Sequence, residues 1–291
     1  MTIATMPGVA PLADAYDAFV LDIWGVVMDG AAPYPGAREC LLRLRESGKR
    51  VILLSNAPRR QSRVAERLAE IGIEPALYDR LISSGEASRE ALARPRAAPF
   101  TEFGHRYLYI GPERDADLLA GLDYRRAATA GAADFVLNAG TIEDTDTIDR
   151  FLPELRAARA ANLDMVCANP DQIVVRHSGQ RVLCAGAIAG AYERLGGTVH
   201  YFGKPHRQIY QACFEALDGV DSARVVAIGD NLDTDIAGAG AAGIATALVL
   251  GGVLAKDLGI SWGSLAPAER ITSLCARHGV MPDMAIPALV W

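Results

Sequence analysis

Between residues 18 and 93, short apolar runs alternate with amphipathic stretches, and this alternation constrains the fold more than any other feature of the chain. "AFVLDIW" (Ala18 to Trp24) is followed by "ARECLLRLRES" with a stop at Gly48, and then by "KRVILLSN". Pro58 opens "PRRQSRVAERLAEIG", Gly72 closes it, and "RLISSG" comes next. Pro near the start and Gly past the end is the punctuation of helices. Helices that join buried strands in this way imply right-handed parallel crossovers. The fold class expected is therefore α/β, with an open, doubly wound, Rossmann-like parallel sheet.

A looser stretch, "ARPRAAPFTEFGH", marks a boundary. Beyond it "RYLYIG", "ADFVLN" and "LDMVCAN" read as strands, and "TDTIDRFLPELRAARAA" reads as an amphipathic helix. "QIVVRHSGQRVL" reads as a hairpin turning at Ser178-Gly179. The first pattern returns with "VHYFGKP", the helix "PHRQIYQACFEALDG" and the strand "ARVVAIGD". It closes with "IATALVLGG" and the helix "PAERITSLCARHG". The expectation is a discontinuous core domain, residues 1–93 and 200–291, interrupted by a smaller α/β cap domain at 94–199.

Composition narrows the function classes. With 51% apolar and 22% charged residues in 291, the chain has the profile of a soluble globular protein. A net charge of −6 argues against a nucleic-acid or anionic-membrane partner. The five cysteines form no CxxC pair, so they are expected as buried thiols of a reducing compartment. The first nineteen residues carry no basic residue and no long apolar run, unlike a signal peptide. Residues 236–255 are uncharged and long enough to span a bilayer, but their five glycines favour a small-residue helix followed by a strand. A cytoplasmic location is expected.

Four of the strands end in polar residues suited to a phosphate. They are Asp22 in "LDIW", Ser55-Asn56 in "LLSNAP", Lys204 in "FGKPH", and Asp230 with Asp235 in "IGDNLDTDI". Open α/β sheets bind ligands at the carboxyl ends of their strands, so these groups should converge. A carboxylate nucleophile, a hydroxyl and amide for phosphate oxygens, a cation and a second acidic cluster make a Mg²⁺-assisted phosphoryl-transfer site. Singly, such residues are often helix caps or turns. Four strand ends in succession are not explained that way.

The order of these segments resembles the haloacid dehalogenase superfamily of phosphohydrolases. The large insertion between "LLSNAP" and "FGKPH" is similar to that of its class IIA, NagD-like branch. "PGA" (Pro35 to Ala37), "SSGEA" (Ser83 to Ala87), "ANPD" (Ala168 to Asp171) and "TDIAGAGAAG" fit that branch. The resemblance implies Asp22 as the nucleophile that forms an aspartyl-phosphate, with Ser55 and Asn56 on phosphate oxygens. It implies Lys204 as the balancing charge, Asp230 as a Mg²⁺ ligand beside Asp22, and Asp235 as support for the metal's waters. It also places the Asp171 turn over the site, where it would govern substrate choice.

The chain departs from the family pattern at Trp24. Family phosphatases have an Asp there, which protonates the leaving group and lends its backbone carbonyl to the metal. Trp24 keeps the carbonyl but has no proton to give, since an indole N–H is a donor only in the hydrogen-bonding sense. Asp29 is a candidate replacement acid, against the simpler reading of Asp29-Gly30 as a turn. Family dehalogenases, which need no metal, are a rival that leaves Asp230 and Asp235 without a purpose. A non-catalytic phosphate binder is the rival from another class. Gly238, Gly240 and Gly243 match G-x-G-x-x-G, but a helix rather than a strand precedes them, so a dinucleotide site is not expected. Arg176 and His177 read as exposed polarity on the hairpin, within reach of a substrate. The expectation is a Mg²⁺-dependent phosphohydrolase of a small phosphorylated metabolite, with no nucleic-acid or membrane partner. Nothing in the sequence excludes a homodimer.

Overall fold

The computed structural model describes residues 3–175 and 180–291. Seven strands form one sheet in the spatial order Ala4–Thr5, Met284–Ile286, Ala245–Val249, Val225–Gly229, Ala18–Asp22, Arg50–Ser55 and Arg80–Ser83. The registered pairs within it are parallel. Strand order reverses between Ala18–Asp22 and Val225–Gly229. One half of the sheet grows outward from the first of these, the other half from the second. Such a switch point opens a crevice at the carboxyl ends of the two strands. Register brings their ends level: Asp22 lies opposite Leu54, and Leu21 opposite Ile228. Asp22, Ser55 and Asp230 therefore leave the sheet together.

The chain divides by contacts into two units. The first comprises residues 1–55, 65–82 and 204–291, and the second residues 56–64 and 83–203. In the first, Ile271, Leu274 and Cys275 of helix Ala268–His278 bury against Leu248, Leu250 and Ile236. The second unit has its own parallel sheet, in the order Val199–Tyr201, Asp164–Cys167, Phe135–Asn138, Arg106–Ile110 and Arg125–Ala127. Helices Ile148–Ala160 and Ala185–Arg194 cover one face with Phe151, Leu155, Ile188 and Tyr192. An aromatic cluster that includes Phe100, Phe103 and Phe202 covers the other.

Two segments fall on the far side of the expected 94–199 boundaries. Strand Val199–Tyr201 pairs with Asp164–Cys167, so the second sheet extends to the residues just before Lys204. Helix Ser84–Ala93 also belongs to the second unit. Its N-terminus is capped by Ser83 Oγ, which accepts from the Glu86 N–H at 3.2 Å and donates to the Arg59 carbonyl at 2.7 Å. The expected hairpin pairs Ile173–Val175 with Arg181–Leu183, antiparallel. Its turn, with Arg176 and His177, lies outside the described residues. The uncharged stretch 236–255 contains helix Ala237–Ala242 and strand Ala245–Val249. No helix among the described residues is long and apolar enough to cross a membrane. All five cysteines are buried.

The C-terminal strand is clasped to its neighbour by side chains as well as by the ladder. Asp283 Oδ2 accepts from the Thr246 N–H and hydroxyl, both at 2.8 Å, and the Asp283 N–H donates to Thr246 Oγ1 at 3.0 Å. Thr246 is buried. Asp283→Ala leaves two of its donors without this partner and should cost about 1–3 kcal/mol. Urea unfolding should show a lower midpoint with an unchanged slope, and an unchanged midpoint would rule out the clasp as a stabilising element.

Candidate active site

Asp22 ends its strand with its carboxylate aimed at a lysine contributed from the far end of the chain. Lys204 Nζ lies 2.6 Å from Asp22 Oδ1, 2.6 Å from Asp235 Oδ1 and 3.4 Å from the Leu54 carbonyl. Lys204 and Asp235 are each 3% exposed. A buried ammonium needs such partners, since a charge taken from water without them is strongly disfavoured.

Asp235 is presented by a single wide π-helical turn, Leu232–Ile236, entered through Asn231. Asp235 Oδ2 accepts from the Asn231 N–H at 3.1 Å, and Tyr210 donates its hydroxyl to the Asp235 carbonyl at 3.2 Å. Gly238 makes room for that tyrosine: a Cβ there would lie 2.7 Å from the Tyr210 hydroxyl and 2.8 Å from Pro205 Cα. The small-residue helix is thus a packing surface behind Lys204 and Asp235. Asp230 follows strand Val225–Gly229, and its Oδ2 accepts from the Val253 N–H at 2.6 Å.

Carboxylate oxygens of Asp22, Asp230 and Asp235 all lie within 4.8 Å of one another. Burial first, and then the neighbouring Asp235 carboxylate, push the Asp22 carboxyl well above the usual carboxylate range, against the opposing pull of Lys204. Three carboxylates against one ammonium carry a formal charge of −2 when all are ionised. An all-oxygen, hard donor set with that charge suits a divalent cation such as Mg²⁺ or Ca²⁺. Two glycines leave space for the Asp230 carboxylate. A Cβ on Gly25 would sit 1.9 Å from Asp230 Oδ2, and one on Gly252 would sit 2.1 Å from the same atom.

Trp24 is half-buried, and its ring lies over the turn that follows. A Cβ on Gly30 would meet its six-membered ring at 2.2 Å. Asp29 Oδ1 accepts from the N–H groups of Ala31 and Ala32 at 2.8 and 2.9 Å, so the Asp29-Gly30 turn forms as the simpler reading expects. Ser55 ends strand Arg50–Ser55, buried, one residue beyond the register partner of Asp22. Asn56 and Asp171 belong to the second unit, where Asn56 Nδ2 donates to Asp171 Oδ1 at 2.8 Å.

Sequence reasoning missed two tyrosines. Tyr210 supports Asp235 from within a helix whose periodicity marks it only as core. Tyr34 stacks on Trp262 with centroids 5.4 Å apart. Burial, then Asp230 and Asp29, raise its phenol to about 12, so it keeps its proton at neutral pH.

A haloacid dehalogenase-like hydrolase family model matches residues 19–125, and a second, HAD-hydrolase-like model matches residues 201–274. A solved haloacid dehalogenase-like hydrolase from Brucella suis 1330 is 32% identical, with a TM-score of 0.82 over 97% of this chain and 99% of its own. The D-glycerol 3-phosphate phosphatase of Mycobacterium tuberculosis is 28% identical over 83% of this chain, and the match spans 65% of that enzyme's length. A solved glycerol phosphate phosphatase from that organism, in complex with magnesium, is 27% identical with a TM-score of 0.64, over 83% of this chain and 70% of its own. A further structure of it holds calcium. The ribonucleotide monophosphatase NagD of Escherichia coli is 28% identical over 82% of this chain and 89% of its own.

The glycine at position 25 gives a direct test of the cation site. In Gly25→Ala the new Cβ collides with Asp230, and the backbone is held at a φ of +79°. Gly48→Ala has a similar φ of +71° with nothing within 4 Å, so it isolates the backbone cost. Wild type and Gly48→Ala should both gain thermal stability on Mg²⁺ titration, by about 2.7 kcal/mol at a hundred times Kd. Gly25→Ala should gain little. An equal gain in all three would remove Asp230 from the cation site.

Proposed function

The chain belongs to the haloacid dehalogenase-like hydrolases, in the class IIA branch that includes NagD, and from that premise we propose that it is a metal-assisted phosphatase of a small phosphorylated metabolite. The observation that carries this reading is the Lys204 ammonium bridging Asp22 and Asp235 at the switch point of the sheet, with Asp230 beside them. In the proposed reaction a carboxylate oxygen of Asp22 attacks phosphorus. The bond from phosphorus to the leaving oxygen breaks, and the phosphoryl group becomes an acyl phosphate on Asp22. Water then attacks that phosphorus, releasing inorganic phosphate and restoring the carboxylate. Lys204 offsets the charge of nucleophile and phosphate, and the Ser55 hydroxyl and Asn56 amide donate to phosphate oxygens.

Asp22, Asp230 and the Trp24 carbonyl would hold Mg²⁺, with Asp235 supporting the metal's waters; when bound, the ion supplies further positive charge to the phosphate oxygens. Relatives named for glycerol phosphate and ribonucleotide substrates support a small phosphate monoester as the substrate class.

Asp22→Asn keeps the shape of the side chain but is a far poorer nucleophile. Phosphate release should fall to background while the fold is retained, and substantial turnover by folded Asp22→Asn would sink the nucleophile assignment. Lys204→Ala should also be severe, because it leaves the acidic cluster without its cation.

Trp24 makes a second, sharper prediction. Positioned acids contribute about 10²–10⁴-fold, and most where the leaving group is a poor one. Aryl and acyl phosphates should therefore turn over much faster than alkyl phosphates. A series of esters of graded leaving-group pKa should give a steep dependence of kcat/KM, which reports the first step alone, in wild type, and Trp24→Asp should flatten it. A flat dependence in wild type would mean that an acid is present. Loss of that flatness in Asp29→Asn would identify Asp29 as the acid. A phosphate binder without turnover, the reading that Trp24 alone would favour, predicts tight orthophosphate binding and no release from any ester.

A further inference from the structure

We infer that Asp171 is a positioning residue for phosphate recognition, acting through the Asn56 amide and not by touching substrate; the inference rests on the phosphatase reading above. Asn56 Nδ2 donates to Asp171 Oδ1 at 2.8 Å. An ionised carboxylate only accepts, so the amide nitrogen must be the end that faces it. The oxygen end is confined by a glycine. A Cβ on Gly203 would lie 2.4 Å from Asn56 Oδ1, 2.8 Å from Ser84 Cβ and 3.0 Å from Pro170 Cδ. The amide is therefore set in one orientation from both sides.

The backbone that carries this carboxylate is itself held. The Asp171 N–H donates to Asn169 Oδ1 at 2.9 Å, and the Asp171 carbonyl accepts from the Gly186 N–H at 3.1 Å. Ser84 Oγ, the donor to the Ala168 carbonyl at 2.6 Å, also lies 3.2 Å from the Ala57 carbonyl, so it joins the strand leading into Asn169 to the residue after Asn56. Segments 56–57, 84, 168–171 and 203 thus form one tight knot within the second unit. In the chain, Asn56 directly follows Ser55, and Gly203 directly precedes Lys204. A carboxylate aimed at a phosphate ester would repel it. Directed at an amide that donates to phosphate, the same charge helps by fixing and polarising the donor. This places Asp171 in the phosphate grip common to all substrates and not in the choice among them.

The two roles separate by experiment. In the presence of Mg²⁺, kcat/KM is measured for p-nitrophenyl phosphate and for a ribonucleoside monophosphate. The Kd of orthophosphate is measured by calorimetry. The proteins are wild type, Asp171→Asn, Asp171→Ala, Asn56→Ala and the Asn56→Ala/Asp171→Ala double variant. Asp171→Ala should lower kcat/KM about tenfold, by the same factor for both esters, and weaken orthophosphate to match. Asp171→Asn should stay within about threefold of wild type, because its amide oxygen still accepts from Asn56. In the Asn56→Ala background, loss of Asp171 should cost nothing further. Asp171→Glu keeps the charge and moves it by one methylene. It should show the same substrate-independent loss, and it decides the matter if Asp171→Ala does not fold. Unequal loss on the two esters, additivity with Asn56→Ala, or an Asp171→Asn as impaired as Asp171→Ala would each overturn the inference. If wild type hydrolyses neither ester, the phosphatase reading fails on its own. The orthophosphate measurements then still decide whether Asp171 acts through Asn56.

Discussion

The buried contact of one ammonium with two carboxylates governs the rest of the first unit. Lys204, Asp22 and Asp235 come from segments 182 and 31 residues apart, and both ion-pair distances are 2.6 Å. Each charge would lose several kcal/mol of hydration on burial, about as much as a good ion pair returns. The arrangement is supported by groups from three neighbouring segments. The Leu54 carbonyl lies near the ammonium, Asn231 donates to Asp235, and Tyr210 ties the backbone of the turn that carries Asp235. A cluster held this way does not reorganise when charge moves nearby. Fixed, dry charges of that kind stabilise a developing phosphoryl transition state more than mobile ones in water.

The close approach of these groups explains glycines that local conformation alone would not. Gly25 and Gly252 touch the same oxygen of Asp230, while a Cβ on Gly229 would meet the Asp235 side chain at 2.2 Å. Only the first of the three has a positive φ. At the other two the lack of a side chain, not backbone freedom, is what the site uses. The carboxylates are therefore crowded by construction. Burial first, and this crowding second, push the Asp22 carboxyl upward.

The parts legible in the sequence were those with a local signature. Polar residues at the ends of apolar runs marked Asp22, Ser55, Lys204, Asp230 and Asp235, and the Pro and Gly punctuation marked the helices between them. Strands Ala4–Thr5 and Met284–Ile286 are too short to carry a period and leave no signal in the sequence. The limits of the inserted unit are hard to read from sequence for a related reason. Strand Val199–Tyr201 looks like any other short apolar run, and only its pairing with Asp164–Cys167 assigns it to a sheet. The Asn56–Asp171 bond spans 115 residues and has no trace in either local pattern. Long-range hydrogen bonds are fixed by how the chain packs, which local sequence does not encode.

Trp24 joins these observations to the proposed chemistry. Its ring occupies the space that Gly30 leaves, and the neighbouring Asp29 carboxylate accepts from the backbone of the turn. In the proposed reaction an acid that protonates the leaving oxygen in the first step becomes, by microscopic reversibility, the base that assists water in the second. A tryptophan at that position withdraws both services while leaving the Asp22–Lys204–Asp235 charges in place. Formation of the acyl phosphate then depends on the leaving group, whereas its hydrolysis does not, because the leaving group has already gone. For good leaving groups the second step becomes limiting; for poor ones, the first. On this mechanism, with Trp24 two positions past the nucleophile, the leaving group decides which half of the reaction sets the rate.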